Sequence, residues 1–290
     1  MGVYVETAFG TTHHVAFGGT GRPIVLVHGL GGSTANWLAV AGALTAHGTV
    51  FSLDLPGFGL SPPGHDFRLA THLAAIEAYV DHLGGPATLI GSSTGALLSE
   101  MLAARRPDLV EHLVLVAPAT PPVIPDPRLD WPTILRLAIQ AGPITGVAFT
   151  RWRLRKSPLE IVNMSMAMVT HHPGRVPMKI IEASIEIASI RRKYPWAEVA
   201  TPRTARSVAG VYARRRRYTE MIRSITAPTL IIQGIHDHIV SPTAVAWLSE
   251  IRPDWTLIQL EDTGHTPMMD APLRTLEVLE PWLARRHFAT

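Results

Sequence analysis

Gly91-Ser92-Ser93-Thr94-Gly95 follows directly on the apolar run Ala87-Thr88-Leu89-Ile90, and on this stretch the reading of the fold depends. A short strand entering G-x-S-x-G, continued by the helical run Ala96-Leu97-Leu98-Ser99-Glu100-Met101-Leu102, describes a nucleophile elbow. The sharp turn lifts its central residue, Ser93, above the sheet with the hydroxyl exposed. Glycines at both flanks supply space, since a side chain there would collide with the neighbouring strand or helix.

A hydroxyl is a poor nucleophile at neutral pH and needs a base, and the base needs an acid to orient it. In elbow-type sheets the chain order is serine, acid, histidine. Downstream, the strand-like run Thr229-Leu230-Ile231-Ile232-Gln233 leads to Gly234-Ile235-His236-Asp237. Asp237 is thereby placed just past a strand's carboxyl end, where open α/β sheets carry functional groups. The next apolar run, Trp255 to Leu260, leads to Asp262-Thr263-Gly264-His265 and puts His265 on the following loop. Ser93, Asp237 and His265 are therefore expected at one edge of one sheet.

With these residues in place the chain resembles the α/β-hydrolase family over nearly its whole length, as a serine-nucleophile, esterase- or lipase-like member. Ile24-Val25-Leu26-Val27-His28-Gly29-Leu30-Gly31-Gly32 is similar to the family's H-G oxyanion strand and turn, and Leu53-Asp54-Leu55-Pro56-Gly57-Phe58-Gly59-Leu60-Ser61 to its D-x-P-G-x-G-x-S loop. Gly264-His265-Thr266-Pro267-Met268-Met269-Asp270-Ala271-Pro272 is similar to its histidine loop. The resemblance implies a mostly parallel eight-stranded sheet flanked by helices, with a helical cap inserted after the sixth strand. It also implies an oxyanion hole built from the backbone N–H groups of Leu30 and Thr94, and a structural rather than acid–base role for His28.

Composition agrees with a globular, well-buried protein. The 290 residues are 47% apolar and 17% charged and include no cysteine, which excludes disulfides, thiolate metal sites and cysteine catalysis. No signal-like N-terminus and no run of about 18 apolar residues is found, so a cytoplasmic protein without a membrane span is expected. The net charge of +3 conceals an asymmetry: residues 121–225 hold eighteen Lys/Arg against seven Asp/Glu, a net of +11, and the remainder nets −8. That shift marks a separate structural unit, and the resemblance implies that 121–225 is a helical cap on a core formed by 1–120 and 226–290.

The periodicity predicts a hairpin from Val3 to Phe17 turning near Gly10-Thr11, then strands at 24–27, 49–53, 87–90, 113–116, 229–233 and 256–260. Helices are predicted at about 34–46, 68–83 and 94–106, and this alternation implies a parallel sheet covered on both faces. A proline cluster (Pro118, Pro121, Pro122, Pro125, Pro127, Pro132) opens the cap, and cap helices are predicted at 132–141, 158–170, 176–193 and 206–224. Ser157-Pro158-Leu159-Glu160 gives one of them a capping box.

For substrate contacts the candidates are Met164, Met168 and Met268, because methionine adapts to varied apolar ligands. Core packing between cap helices is the alternative reading, and methionines spaced by two cannot all face one way on a helix. His13-His14 and His171-His172 read as solvated pairs, and His236 and His238 as loop histidines. No H-E-x-x-H or comparable ligand set is present, so neither metal nor cofactor is expected. Asp54 is expected to brace the Pro56-Gly57 turn. The runs Arg151-x-Arg153-x-Arg155-Lys156, Arg191-Arg192-Lys193 and Arg214 to Arg217 read as mostly solvated surface, with peripheral contact to an anionic membrane or attraction of a carboxylate-bearing substrate as the functional alternatives. Nucleic-acid binding is not expected without interleaved aromatics.

Haloalkane dehalogenases and epoxide hydrolases of the family carry aspartate where Ser93 stands, which disfavours both. The expected function is hydrolysis of a small-molecule carboxylic ester with a small to medium apolar acyl group. A serine-dependent C–C hydrolase of a carboxylate-bearing diketone or dienone, a low-turnover ligand receptor on the same scaffold, and perhydrolase chemistry stay open.

Overall fold

The computed structural model describes residues 2–126, 128 and 130–287; Met1, Pro127 of the proline cluster, Leu129, and residues 288–290 at the end of the expected core segment lie outside the described residues. Strands β1 (Val3–Thr7), β2 (Gly10–Gly18), β3 (Pro23–Val27), β4 (Thr49–Leu53), β5 (Ala87–Ser92), β6 (Val110–Val116), β7 (Thr229–Gly234) and β8 (Thr256–Leu260) form one sheet in the order β1-β2-β4-β3-β5-β6-β7-β8. β1 and β2 make an antiparallel hairpin, β2 is antiparallel to β4, and β3 to β8 run parallel. The hairpin turns two residues earlier than the pattern suggested. Thr7 pairs with Gly10, leaving Ala8-Phe9 as the turn, because Gly10 at φ +127° takes the bend at the start of β2.

The strands alternate their side chains between two cores, as pleating demands. Val25, Val27, Leu89, Leu113, Leu115 and Ile231 face one core, which includes apolar residues of α2 (Leu69–His82) and α3 (Thr94–Arg105). Ile24, Leu26, Ile90, Val114, Val116 and Ile232 face the other. The stretch expected as one helix over 34–46 is a 3₁₀ turn, Thr34–Trp37, followed by the short α1 (Ala41–Leu44). Ser33 caps that turn in a box with Asn36, fixing it as a separate element.

Between β6 and β7 the chain is helical: α4 (Trp131–Ala141), α5 (Thr145–Leu154), α6 (Pro158–Val169), α7 (Met178–Arg191), α8 (Ala197–Tyr212) and α9 (Arg215–Ser224). Ser157 and Glu160 form the capping box at the start of α6. The single helix predicted over 206–224 is two helices. α8 packs on α4 and α5 whereas α9 packs on α3, and no straight helix reaches both. α5 had no clear periodic signal. The remaining helices are α10 (Pro242–Ile251), α11 (Pro267–Asp270) and α12 (Pro272–His287). Among the described residues no helix is long and apolar enough to cross a membrane.

Register sets the site. Val27 aligns with Gly91, Ser92 with Val116, Val116 with Ile232, and Gly234 with Leu260. The residues just beyond these pairs, among them His28, Gly29, Ser93 and the loops carrying Asp237 and His265, therefore emerge along one edge of the sheet.

Candidate active site

Ser93 sits at the N-terminus of α3 with φ 53° and ψ −117°, a region that a side chain rarely adopts. The surrounding chain holds it there: its N–H donates to Val116 O at 2.9 Å, and its own carbonyl accepts from Ala119 N at 3.2 Å and Leu97 N at 3.1 Å. The flanking glycines are sterically required. A Cβ on Gly91 would lie 2.5 Å from Gly95 O, and one on Gly95 would lie 2.3 Å from Val27 O. Gly29 faces Ser93 as closely: a Cβ there would stand 3.1 Å from Ser93 Cβ.

Asp237 and His265 meet on the neighbouring loops. His265 Nδ1 lies 2.7 Å from Asp237 Oδ2, with both residues buried. Asp237 Oδ1 accepts from the N–H groups of Ile239 (2.8 Å) and Val240 (3.0 Å), and Gln233 Nε2 donates to Oδ2 at 3.0 Å. Four donors converge on one carboxylate, and because its oxygens accept, the imidazole nitrogen that faces it, Nδ1, is the one that donates. Gln233 carries no sequence signal for this contact, since it reads only as the end of an apolar strand.

His28 bonds within its own turn. Its Nδ1 donates to Gly29 O at 2.7 Å while Nε2 accepts the Leu55 N–H at 3.0 Å, and burial pushes its pKa below the ordinary histidine value. Asp54, wholly buried, accepts from Thr34 N (2.7 Å), Leu60 N (2.9 Å) and His13 Nδ1 (2.7 Å), so it ties the 54–61 loop to the turn after β3. His13 and His14 are accordingly buried rather than solvated, because β2 packs them against Asp54 and Tyr79.

Ser93 and His265 open on one cavity of about 510 Å³, within the size range of small-molecule pockets. Leu30 and Thr94 line it beside Ser93, and helices α4 to α8 supply the opposite wall. Met168 and Met268 line it, as does Met166; Met164 does not. The α6 positions that reach the cavity, from Ile161 to Val169, form one stripe, and Met164 stands roughly 120° round the helix from its centre at 100° per residue. Arg153 and Arg191, from runs expected to be mostly solvated, also face the cavity.

Asp270 joins this edge to the helical stretch. Its buried carboxylate accepts from Gly264 N (2.7 Å), His171 N (2.8 Å) and His172 N (3.1 Å). His171 stacks on His236 at 4.1 Å and is half-buried, not solvated. His171, His172 and Asp262 bring potential ligand atoms within 4.8 Å of one another. Asp262 is already engaged by His172 Nε2 at 2.6 Å and Arg175 Nη1 at 2.8 Å, an internal ion-pair network rather than an open ligand set.

Comparison with known proteins agrees with this fold. Residues 24–278 match the sequence model of the alpha/beta hydrolase family. The chain is 25% identical over 264 residues to the pimeloyl-acyl-carrier-protein methyl ester esterase of Nitrosomonas europaea, covering 89% of this chain and 94% of that one. It is 28% identical over 276 residues to haloalkane dehalogenase 2 of Mycobacterium tuberculosis, covering 93% and 91%. Among solved structures, a thermophilic esterase of Thermogutta terrifontis superposes with a TM-score of 0.73 at 23% identity, over 99% of both chains.

Proposed function

Because this chain belongs to the alpha/beta hydrolase family, we propose that it is a serine hydrolase cleaving carboxylic esters of small to medium acyl groups through an acyl-enzyme on Ser93. The observation that carries this reading is the shared cavity: Ser93 at a strained elbow and His265 beside it, the histidine backed by a buried carboxylate at 2.7 Å. In the proposed reaction Ser93 Oγ attacks the ester carbonyl and its proton passes to His265 Nε2, while Asp237 holds the Nδ1–H tautomer and stabilises the imidazolium. The N–H groups of Leu30 and Thr94 receive the oxyanion. Collapse of the tetrahedral adduct breaks the bond to the alkoxy oxygen, which leaves with the proton from Nε2. Water, deprotonated by Nε2, then attacks the acyl carbon, and the carboxylic acid departs as Ser93 regains its proton.

A serine suits this chemistry better than halide displacement. An alkyl group transferred to Ser93 would form an ether, with no carbonyl for water to attack. The helical stretch 121–225 acts in this proposal as a cap on a core of 1–120 and 226–290. Its apolar side chains, including Met168 together with Met268 of the core, form the acyl pocket.

The test is hydrolysis of p-nitrophenyl esters from acetyl to palmitoyl, run beside Ser93→Ala. Turnover peaking at one chain length and falling at least about 10³-fold in the variant is expected. Ester turnover retained by a clean Ser93→Ala preparation, or none by the folded wild type, would overturn the proposal.

A further inference from the structure

The cavity above Ser93 contains two cations that no acid answers. Arg191, at the end of α7, and Arg153, near the end of α5, both line it. Among the described residues neither forms a salt bridge, although other cap arginines find partners, such as Arg151 with Glu198 and Arg175 with Asp262. Arg191 donates from Nη2 to Gly57 O at 3.3 Å and lies over the Phe58 ring at 4.7 Å. Its Nε is shielded from solvent with no hydrogen-bond partner. Arg153 gives Nη2 to a neutral hydroxyl, Ser165 Oγ. Asp54 is the acid whose charge acts on Arg191, but both its oxygens are occupied by Thr34 N, Leu60 N and His13.

Burial pushes the Arg191 pKa down to about 10, with the charge of Arg153 adding to the effect, and at neutral pH the guanidinium still carries its proton. Arg153 is lowered from its ordinary value by burial as well. Enclosing an unpaired charge is costly, and removing one of two ions from water without a counter-ion costs more than a completed pair. Two like charges facing one mostly apolar chamber are therefore an arrangement that a ligand completes. A guanidinium offers a planar fork of donors matched to a carboxylate, and the Phe58 ring lies 4.7 Å from the centre of the Arg191 fork.

We propose that Arg153 and Arg191 form an anion subsite of the catalytic cavity, and that the natural substrate carries a carboxylate seated there while its scissile carbonyl meets Ser93. This rests on the serine-hydrolase reading for the second half of the statement; the anion subsite itself does not. It changes the expected substrate from a purely apolar ester to a monoester or related acyl compound with a distal acid. Arg191 and Arg153 bind and orient in this scheme and exchange no proton.

The experiment compares p-nitrophenyl pentanoate with p-nitrophenyl hydrogen glutarate, which differ chiefly by a terminal carboxylate. Wild type should prefer the charged ester in kcat/KM by about tenfold or more, through KM, and Arg191→Gln or Arg153→Gln should reduce that ratio by a similar factor. Arg191→Lys should retain part of it. A ratio is read on folded, active molecules alone, so partial misfolding of a variant does not mimic the effect. Calorimetric titration of glutarate, and separately of inorganic phosphate, into Ser93→Ala reads the subsite without turnover. Glutarate binding that disappears in Ser93→Ala/Arg191→Gln supports the subsite even if no ester is hydrolysed, an outcome in which only the esterase reading fails. Equal kcat/KM for the two esters with no glutarate binding overturns the subsite while leaving the serine hydrolase intact. Phosphate binding tighter than glutarate overturns the carboxylate assignment.

Discussion

Asp237 Oδ2 stands 2.7 Å from His265 Nδ1 while Oδ1 is engaged by two backbone N–H groups, those of Ile239 and Val240. This division of labour fixes what an amide could do in the same place. In Asp237→Asn the single carbonyl oxygen is claimed by the two backbone donors, so the NH₂ faces Nδ1 and also meets Gln233 Nε2, a second donor. His265 would then have to accept at Nδ1 and carry its proton on Nε2, the nitrogen that must receive the serine proton. Ester kcat should fall on the order of 10³–10⁴-fold with little change in far-UV circular dichroism. A loss under tenfold would remove Asp237 from the proposed mechanism.

Glu100 lies wholly buried on α3, seven residues beyond Ser93, and Tyr218 Oη donates to its Oε2 at 3.1 Å. Burial raises its pKa to about 8 from an ordinary 4.5. For an acid raised in this way the folded state holds a proton that the unfolded state has released. The stability associated with it is present below pH 4.5 and is lost as pH rises towards 8. Replacing Glu100 with Gln removes that slope. Relative to wild type, the variant should gain on the order of 3 kcal/mol between pH 4.5 and 8 in urea denaturation, whatever its absolute stability. Parallel curves across that range would show that Glu100 does not titrate in this window.

Asp270 bonds three backbone N–H groups from two parts of the chain, Gly264 beside His265 and His171-His172 after α6. Asp270→Ala leaves all three donors without this acceptor, at roughly 1–3 kcal/mol for the buried Gly264 N–H and less for the part-buried N–H groups of His171 and His172. The expected result is a lower urea midpoint and faster amide exchange concentrated at 170–172 and 263–266, together with a fall in ester kcat because His265 shares that loop. Unchanged exchange in both segments would show that the carboxylate is not what joins them.

Much of the architecture could be read without coordinates because its signals are local. The elbow around Ser93 needs small residues at 91 and 95 within one turn, and apolar runs of five or six residues mark each parallel strand. The chain order of Ser93, Asp237 and His265 then follows from strand ends alone, and register brings the three to one edge. The hairpin turn lies two residues before the expected one, since both Gly10 and its neighbours are compatible with a bend and only pairing with β1 selects among them.

What tertiary structure alone decided are the contacts made across long separations and the phase of each helix. The sequence established an α/β sheet with a serine elbow, an acid and a histidine on successive loops, and a basic helical stretch between β6 and β7. It could not say that Arg191 turns inward while most of its basic neighbours serve the surface. Consecutive residues on a helix differ by about 100°, and only the packing of α7 against the core picks the direction. The same holds for Met166 over Met164, for His13 and His14 on β2 against Asp54 and Tyr79, and for Asp270, whose partners at 171 and 172 lie about a hundred residues away. Local chemistry fixes which elements form; which side chains share a cavity is set when distant elements pack, because only burial and pairing at that stage distinguish one face of an element from another.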